Sequence, residues 1–327
     1  LYAGDSSFVP FLLEAKDRVS STASIFHLKP KRAGEDFQRY NEAWRRGIWN
    51  VHFKQPQLQI VRAYTPLPPI DDESNTQQQR ELRFLIRNDP HGEVSSYLHR
   101  LPAGAEIEMR GPNIEYEISP DARQIVFLAG GTGIAPALQA AYALFEGNRT
   151  SAEASGNGND HKSKKIHILW ANRLREDCLG GISDPPPAEA VPPKPTWSGF
   201  LSRPKKKAPP PPPGSQDQGL MVKELETLKK KYPGQVTVEY FVNAEDTWID
   251  EDAVFRALSR FEDKHFSIGS AASKEQRQIL ISGPPGFIAY LAGPKEWRNG
   301  REEQGTVSRI VAHAISKNPH DVKVWKI

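Results

Sequence analysis

The chain of 327 residues predicts two domains in series: an antiparallel β-barrel or sandwich and then a Rossmann-like parallel α/β domain. Three observations predict this two-domain β plus α/β class. Up to about residue 120, short runs alternate apolar and polar residues and are separated by turn residues. From 121 onward, continuous apolar runs alternate with helical stretches, the mark of a doubly wound parallel sheet. A glycine-rich turn joins the first of those runs to the first of those helices. The domains are therefore assigned to 1–120 and 121–327.

In the first domain the expected strands are "FVPFLLEA", "ASIFHLKP", "WNVHFKQ", "LQIVRAY", "ELRFLIRN" and "AEIEMRGP". A charged insert, Arg32 to Arg46, interrupts them, and "VSSYLHRL" reads as a short helix. The run "LQIVRAY" ends on Arg62, Ala63, Tyr64 and Thr65, then meets Pro66, Pro68 and Pro69. Arg62 and Tyr64 share one face under the two-residue period, and Ala63 and Thr65 share the other. The prolines lack the ladder donor, so the chain is expected to leave the sheet there.

In the second domain "QIVFLAG", "KKIHILWAN", "QVTVEYFVN" and "QILISG" read as buried strands, with helices over "PALQAAYALFEG" and "MVKELETLKKKY". Two polar or proline-rich inserts, about 151–165 and 182–219, stand outside the scheme and are compositionally disordered or extended.

Composition narrows the class. Charged residues make up 25% and the net charge is only +3, which gives no electrostatic case for nucleic acid. Cys178 is the single cysteine, so neither an intrachain disulfide nor a cysteine-based zinc site is available. The nine histidines show no metal-type spacing, and no metal site is expected. No apolar run reaches the roughly 18–20 residues of a membrane span. The chain begins at Leu1 rather than Met, so a presequence or membrane anchor is expected to precede it.

The chemistry-bearing motifs are short turns. In "IVFLAGGTGIAPALQAAYALF", Gly130, Gly131 and Gly133 with Thr132 allow positive φ and close ligand approach, ahead of a helix expected to open at Pro136. A helix N-terminus there suits a pyrophosphate, although the spacing departs from G-x-G-x-x-G and a plain strand–helix turn reads equally well. "QILISGPPGF" repeats this construction with Ser282, Gly283, Pro284 and Pro285. "HGEVSSYLHRL" sets Gly92, Glu93, Val94 and Ser95 at a helix start, which is either a simple cap or an anion site.

Taken in order, R-x-Y-T-P, G-x-x-S-x-x-L, R-G-P, G-G-T-G-I-x-P and G-P-P resemble the ferredoxin-reductase superfamily, in particular its NADH–cytochrome b5 reductase branch. The resemblance spans nearly the whole chain and implies FAD in the barrel and NADH or NADPH in the α/β domain. It implies that Arg62 pairs with the FAD pyrophosphate, Tyr64 packs on the flavin, and Thr65 lies near its N5. Leu85 and Arg87 match the next flavin-contacting strand, and Gly92 to Ser95 the helix start that receives the pyrophosphate. Gly130 to Gly133 would cradle the nicotinamide nucleotide, with Asn172 and Gly283 to Pro285 completing the site.

The implied activity is an FAD-dependent NAD(P)H oxidoreductase, passing a hydride to flavin and then single electrons to an acceptor. The family carries cysteine where this chain has Ser282, which bears on hydride transfer rather than flavin binding. It often has threonine at Ala135, and an acidic residue, favouring NADH, where this chain has Asn243. "KQPQLQIVRAYTPLPP", "ILWANRLREDC" and "AYLAGPKEWRNGREEQG" further resemble a fungal mitochondrial branch associated with haem attachment to cytochrome c. That resemblance implies ferric haem or a haem protein as acceptor, a haem lyase or related maturation machinery as partner, and the inner membrane facing the intermembrane space. A cytochrome b5 reductase-type enzyme and a non-catalytic flavin-binding assembly factor are the alternatives.

Overall fold

The computed structural model describes residues 7–32, 37–70, 81–147, 164–185, 218–260, 277–298, 301–304, 309–316 and 322–327. The central parts of both long inserts, 148–163 and 186–217, lie outside these residues, so the disorder expected there is not part of this description.

Seven strands build the first domain: β1 (Val9–Arg18), β2 (Ala23–Pro30), β3 (Gly47–Gln55), β4 (Ile60–Tyr64), β5 (Pro66–Leu67), β6 (Leu82–Arg87) and β7 (Glu106–Glu117). Their order is β4-β3-β7-β1-β2-β6-β5, with every pairing antiparallel. The strands at the two ends of that order, β4 and β5, are separated in sequence by Thr65 alone, so the sheet curls into a barrel. Pro66 and Leu67 thus do not leave the sheet as expected. They pair with Phe84 and Arg83 at its far edge, where a residue without an N–H donor is tolerated. The charged insert also contains structure: α1 (Gln38–Arg46) buries Tyr40, Ala43 and Trp44 on one face. Trp44 meets Trp49 edge-on at 4.8 Å, and Phe53 meets Phe84 at the same distance deeper in the barrel.

The second domain holds a five-stranded parallel sheet in the order β10-β9-β8-β11-β14. Its strands are β8 (Gln124–Gly130), β9 (Lys165–Asn172), β10 (Val236–Val242), β11 (Arg277–Ser282) and β14 (Lys323–Lys326). A small hairpin, β12 (Glu296–Arg298) and β13 (Arg301–Glu303), precedes the last strand. Helices α2 (Glu93–Arg100), α3 (Ile134–Glu146), α4 (Leu220–Lys231), α5 (Glu251–Ser259), α6 (Pro285–Ala292) and α7 (Arg309–Ser316) complete the described elements. β8 is buried throughout, as a central parallel strand covered on both faces must be. β9 joins it on one side and β11 on the other, which opens a crevice at its carboxyl end.

The domains are fastened by α3. Gln139, fully buried, accepts from Trp49 N–H at 2.8 Å and donates to the Pro66 carbonyl at 2.9 Å. Both partners are barrel backbone, so the position of Pro66, next to Thr65, is set from the other domain. Ser183 and Asp184, first residues of the proline-rich insert, run along the free edge of β10: Asp184 N–H donates to Val238 O, and its carboxylate accepts from Val238 N–H at 2.8 Å. That contact covers the unpaired groups of an edge strand. Among the described residues, no helix is long and apolar enough to cross a membrane.

Candidate functional site

β4 ends at the mouth of a cleft of about 360 Å³. Arg62, Ala63, Tyr64 and Thr65 line one side of it, and Leu85 and Arg87 from β6 line another. Gly92 and Ser95 close it at the start of α2, and Thr132, Gly133, Ala135, Pro136, Ser282 and Gly283 close it from the second domain. The sequence motifs that lie far apart along the chain therefore meet around one space.

The Tyr64 ring stacks on Phe53 at 5.0 Å, which leaves its other side to the cleft. Burial pushes its phenol up to about 12, so it stays protonated and able to donate. Arg62 is 57% exposed; it has a long ion pair, 3.9 Å, to Glu93, and its other terminal nitrogen donates to the Val61 carbonyl at 3.0 Å. Its fork is thus available to an anionic ligand. At the head of α2, the Gly92 N-cap offers no side-chain cap, and the Ser95 hydroxyl instead accepts from Asp89 N–H at 3.1 Å. No side chain caps the first turn of that helix, and its Gly92 and Ser95 line the cleft. Two predicted site residues stand apart: Val94 is buried in the barrel core, and neither it nor Glu93 lines a cleft.

A second, larger cleft of about 1210 Å³ adjoins the first, and Arg87, Asp89 and Thr132 line both. Gly130, Gly131, Asn172, Asn243, Pro284 and Pro285 line the second cleft, all at the carboxyl edge of the parallel sheet. The glycine turn works differently from expectation. Gly131 alone has a positive φ, +54°, whereas Gly130 and Gly133 are needed for close approach. A Cβ on Gly133 would stand 2.2 Å from the Ser282 carbonyl, and one on Gly283 3.0 Å from Gly130 Cα. The two turns are therefore packed backbone against backbone. The helix also opens two residues before Pro136, at Ile134, after a 3-10 turn over Gly131–Gly133.

The donor set suits a dinucleotide. Asn172 is buried at the end of β9 beside the Cys178 thiol, and neither of its amide atoms has a nitrogen or oxygen partner among the described residues. A buried amide with both functions unused calls for a polar ligand group. Asp177, which lines neither cleft, pairs one carboxylate oxygen with Arg87 at 2.8 Å, and the other has no hydrogen-bond partner among the described residues. The first cleft, with an arginine fork, uncapped helix amides and an aromatic wall, fits a flavin dinucleotide in the same way.

Sequence reasoning missed Asp89, Arg173, Asp177, Gln139 and Trp248, because each lies outside a glycine or RxYT motif. Cys178 does not substitute for the family cysteine. It is fully buried, and burial pushes its thiol up to about 11.

Residues 10–118 match the family model of the oxidoreductase FAD-binding domain. The curated NADH-cytochrome b5 reductase 2 of Kluyveromyces lactis is 23% identical over 254 residues, covering 77% of this chain and 63% of that protein. Its counterpart in Phaeosphaeria nodorum is 29% identical over 180 residues, covering 54% and 47%. The chain spans about three-fifths of the length of the first of these relatives. Among solved structures, the cytochrome b5 reductase domain of Ulva prolifera nitrate reductase aligns with a TM-score of 0.50 at 19% identity, covering 86% of this chain and 89% of that one. A mutant ferredoxin-NADP+ reductase from Plasmodium falciparum, in complex with 2'P-AMP, aligns with 0.54 at 14% identity, covering 98% and 96%. These structural likenesses show the fold.

Proposed function

We propose that this chain, a member of the ferredoxin-reductase-like, cytochrome b5 reductase-like family of FAD-binding oxidoreductases, is an FAD-dependent NAD(P)H oxidoreductase whose electrons go to a haem protein. One observation carries the reading. The cleft suited to FAD and the cleft suited to a nicotinamide nucleotide share Arg87, Asp89 and Thr132, so two ligands would lie next to each other at these residues.

FAD, when bound, supplies hydride acceptance and one-electron release, which no side chain can. The protein's part is to bind and orient. Arg62 and the amides at the head of α2 would hold the pyrophosphate, and Tyr64 would form one wall for the ring. Thr65 offers a hydroxyl at the same edge, kept in place because Gln139 holds the following carbonyl. The close contact of Gly133 with the Ser282 carbonyl leaves no room for a side chain at that point in the wall of the first cleft. Ser282, buried and lining the first cleft, presents a hydroxyl where the family has a thiol.

The acceptor follows from the relatives, which are named as cytochrome b5 reductases. The resemblance of "ILWANRLREDC" and "AYLAGPKEWRNGREEQG" to the mitochondrial branch supports a narrower reading: reduction of haem during cytochrome c maturation, at the inner membrane facing the intermembrane space.

The test is anaerobic. The purified protein is expected to be yellow, to be bleached by NADH or NADPH, and then to reduce a ferric haem protein. Failure to take up FAD would overturn the proposal outright. A yellow protein that neither nucleotide bleaches would instead support a non-catalytic flavin-binding assembly factor. Comparing ferric cytochrome b5 with ferric haem plus apocytochrome c then separates the two acceptors.

A further inference from the structure

Of the three glycines in the turn after β8, Gly131 is the one that packing holds least. A Cβ on Gly130 would strike the Phe287 ring at 2.8 Å, and one on Gly133 the Ser282 carbonyl at 2.2 Å. A Cβ on Gly131 would meet only the tip of Arg87, at 3.7 Å, among the described residues. Gly131 also carries the positive φ, and a glycine passes between backbone regions without a side-chain barrier. Hydrogen bonds, rather than crowding, must therefore set the direction of the Gly131–Thr132 peptide.

Two donors converge on the Gly131 carbonyl. One is Ile134 N–H, which closes the 3-10 turn. The other is Trp170 Nε1, at 2.9 Å. Trp170 lies on β9 opposite Ala129 of β8, two residues before Gly131. Its side chain is buried, tilts against the Tyr240 ring at 5.9 Å, and lines neither cleft. A buried indole N–H needs an acceptor, and here the acceptor is the turn itself. A trans peptide sets the next N–H antiparallel to its carbonyl. Turning the Gly131 carbonyl onto the indole thus directs the Thr132 N–H away from it, and Thr132 lines both clefts.

We propose that Trp170 is a positioning residue for the nicotinamide nucleotide, its indole N–H fixing the Gly131–Thr132 peptide in the orientation that the ligand binds. This inference rests on the nucleotide reading of the larger cleft given above. Without the indole bond, the peptide keeps only the Ile134 contact and samples other orientations. The nucleotide then binds only those molecules in which the turn is set, and its apparent affinity falls by that fraction.

Calorimetry on the FAD-loaded protein, with NAD+ and NADP+ as probes, tests this through binding alone. Trp170→Phe keeps an aromatic ring in the core and removes the donor. One hydrogen bond corresponds to about threefold to tenfold in affinity, so the variant is expected to bind nucleotide that much more weakly and to retain FAD. Phenylalanine is smaller and leaves a gap, so a second variant separates the donor from the packing. Trp170→benzothienylalanine keeps nearly the same ring shape, with sulfur in place of the N–H, and is expected to lose as much affinity. Trp170→5-fluorotryptophan keeps the N–H and is expected to bind like the parent. Parent-like affinity in the benzothienyl variant would reduce Trp170 to core packing and overturn the proposal, whatever Trp170→Phe does. An equal loss in the fluorinated variant would overturn it too. If the parent retains FAD and binds neither nucleotide, the nucleotide reading of the cleft has failed, and this inference with it. Nucleotide binding that is equal in the parent and both donor-less variants defeats this inference alone.

Discussion

Arg87, at the end of the barrel strand β6, forms a 2.8 Å ion pair with Asp177 of the nucleotide domain, whose side chain is only 5% exposed. The same guanidinium donates to the Thr22 hydroxyl at 3.1 Å, and it lines both clefts. A buried carboxylate deprived of its cation is costly. Arg87→Leu is therefore expected to lower unfolding free energy by about 2–4 kcal/mol, and Asp177→Asn added to it to restore part of the loss. Denaturant titration of both singles and the double checks this; strict additivity would mean that the pair is uncoupled.

Arg62 should behave in the opposite way. Its pair with Glu93 is long and half-exposed, so it contributes roughly 0–1 kcal/mol to folding. Arg62→Ala is expected to leave unfolding almost unchanged while weakening FAD affinity about tenfold or more, since a guanidinium–phosphate contact is lost. Equal flavin content in variant and parent after gel filtration would remove Arg62 from the site.

The contrast shows what the sequence could reveal. Strand periods, the glycine turn and the RxYT end are local patterns, so the two kinds of sheet and several of the residues lining the clefts could be read from them. Asp177 and Gln139 could not, because their partners lie 90 and 73 residues away, and the helical run that holds Gln139 says nothing of them. Pro66 departs from expectation for a related reason. Whether a proline leaves a sheet or joins its edge depends on barrel closure, a long-range property. The reason for the glycines at 130 and 133 was likewise hidden, because the backbone and ring they touch come from the end of β11 and the first turn of α6.

Those glycines give a paired prediction. Gly133→Ala drives a methyl to 2.2 Å from the backbone oxygen of Ser282, where no flexible side chain can yield. A loss of about 2–3 kcal/mol and reduced nucleotide binding are expected, as for overpacking of a rigid contact. Gly286 lies inside α6, and a methyl added there would meet nothing within 4 Å, so Gly286→Ala should stabilise by about 0.5–1 kcal/mol. Thermal unfolding of both variants separates close approach from mere helix composition.

Gln139→Leu tests the domain fastening. It leaves the Trp49 N–H and the Pro66 carbonyl without their partner in a buried setting, at about 1–3 kcal/mol each. Because Pro66 follows Thr65, FAD affinity should fall along with stability. Gln139→Glu keeps the acceptor for Trp49 but, when ionised, buries an unpaired carboxylate against the Pro66 carbonyl, so it is expected to cost at least as much as Gln139→Leu at neutral pH. A stability loss with unchanged FAD affinity would show that the barrel alone fixes Thr65.

A last prediction concerns pH and lies away from the clefts. His27 sits between Glu81, bonded at Nδ1, and Asp17, 3.0 Å from Nε2. The hydrogen bond to Glu81 raises His27 above its ordinary 6.5. Burial pushes Glu81 up, but the bond and charge of His27 outweigh it and hold the carboxyl below 4.5. A histidine raised on folding stabilises fully below 6.5, and that contribution is lost as pH rises through the raised value. A carboxylate lowered on folding stabilises above 4.5, and loses this as pH falls through the lowered value. The pair therefore contributes most between about 4.5 and 6.5. The stability gap between the parent and Glu81→Gln is expected to be widest near pH 6 and to narrow steadily toward pH 9. A gap that stays constant over that range would mean that His27 is neutral in the folded protein and that the contact is an uncharged hydrogen bond.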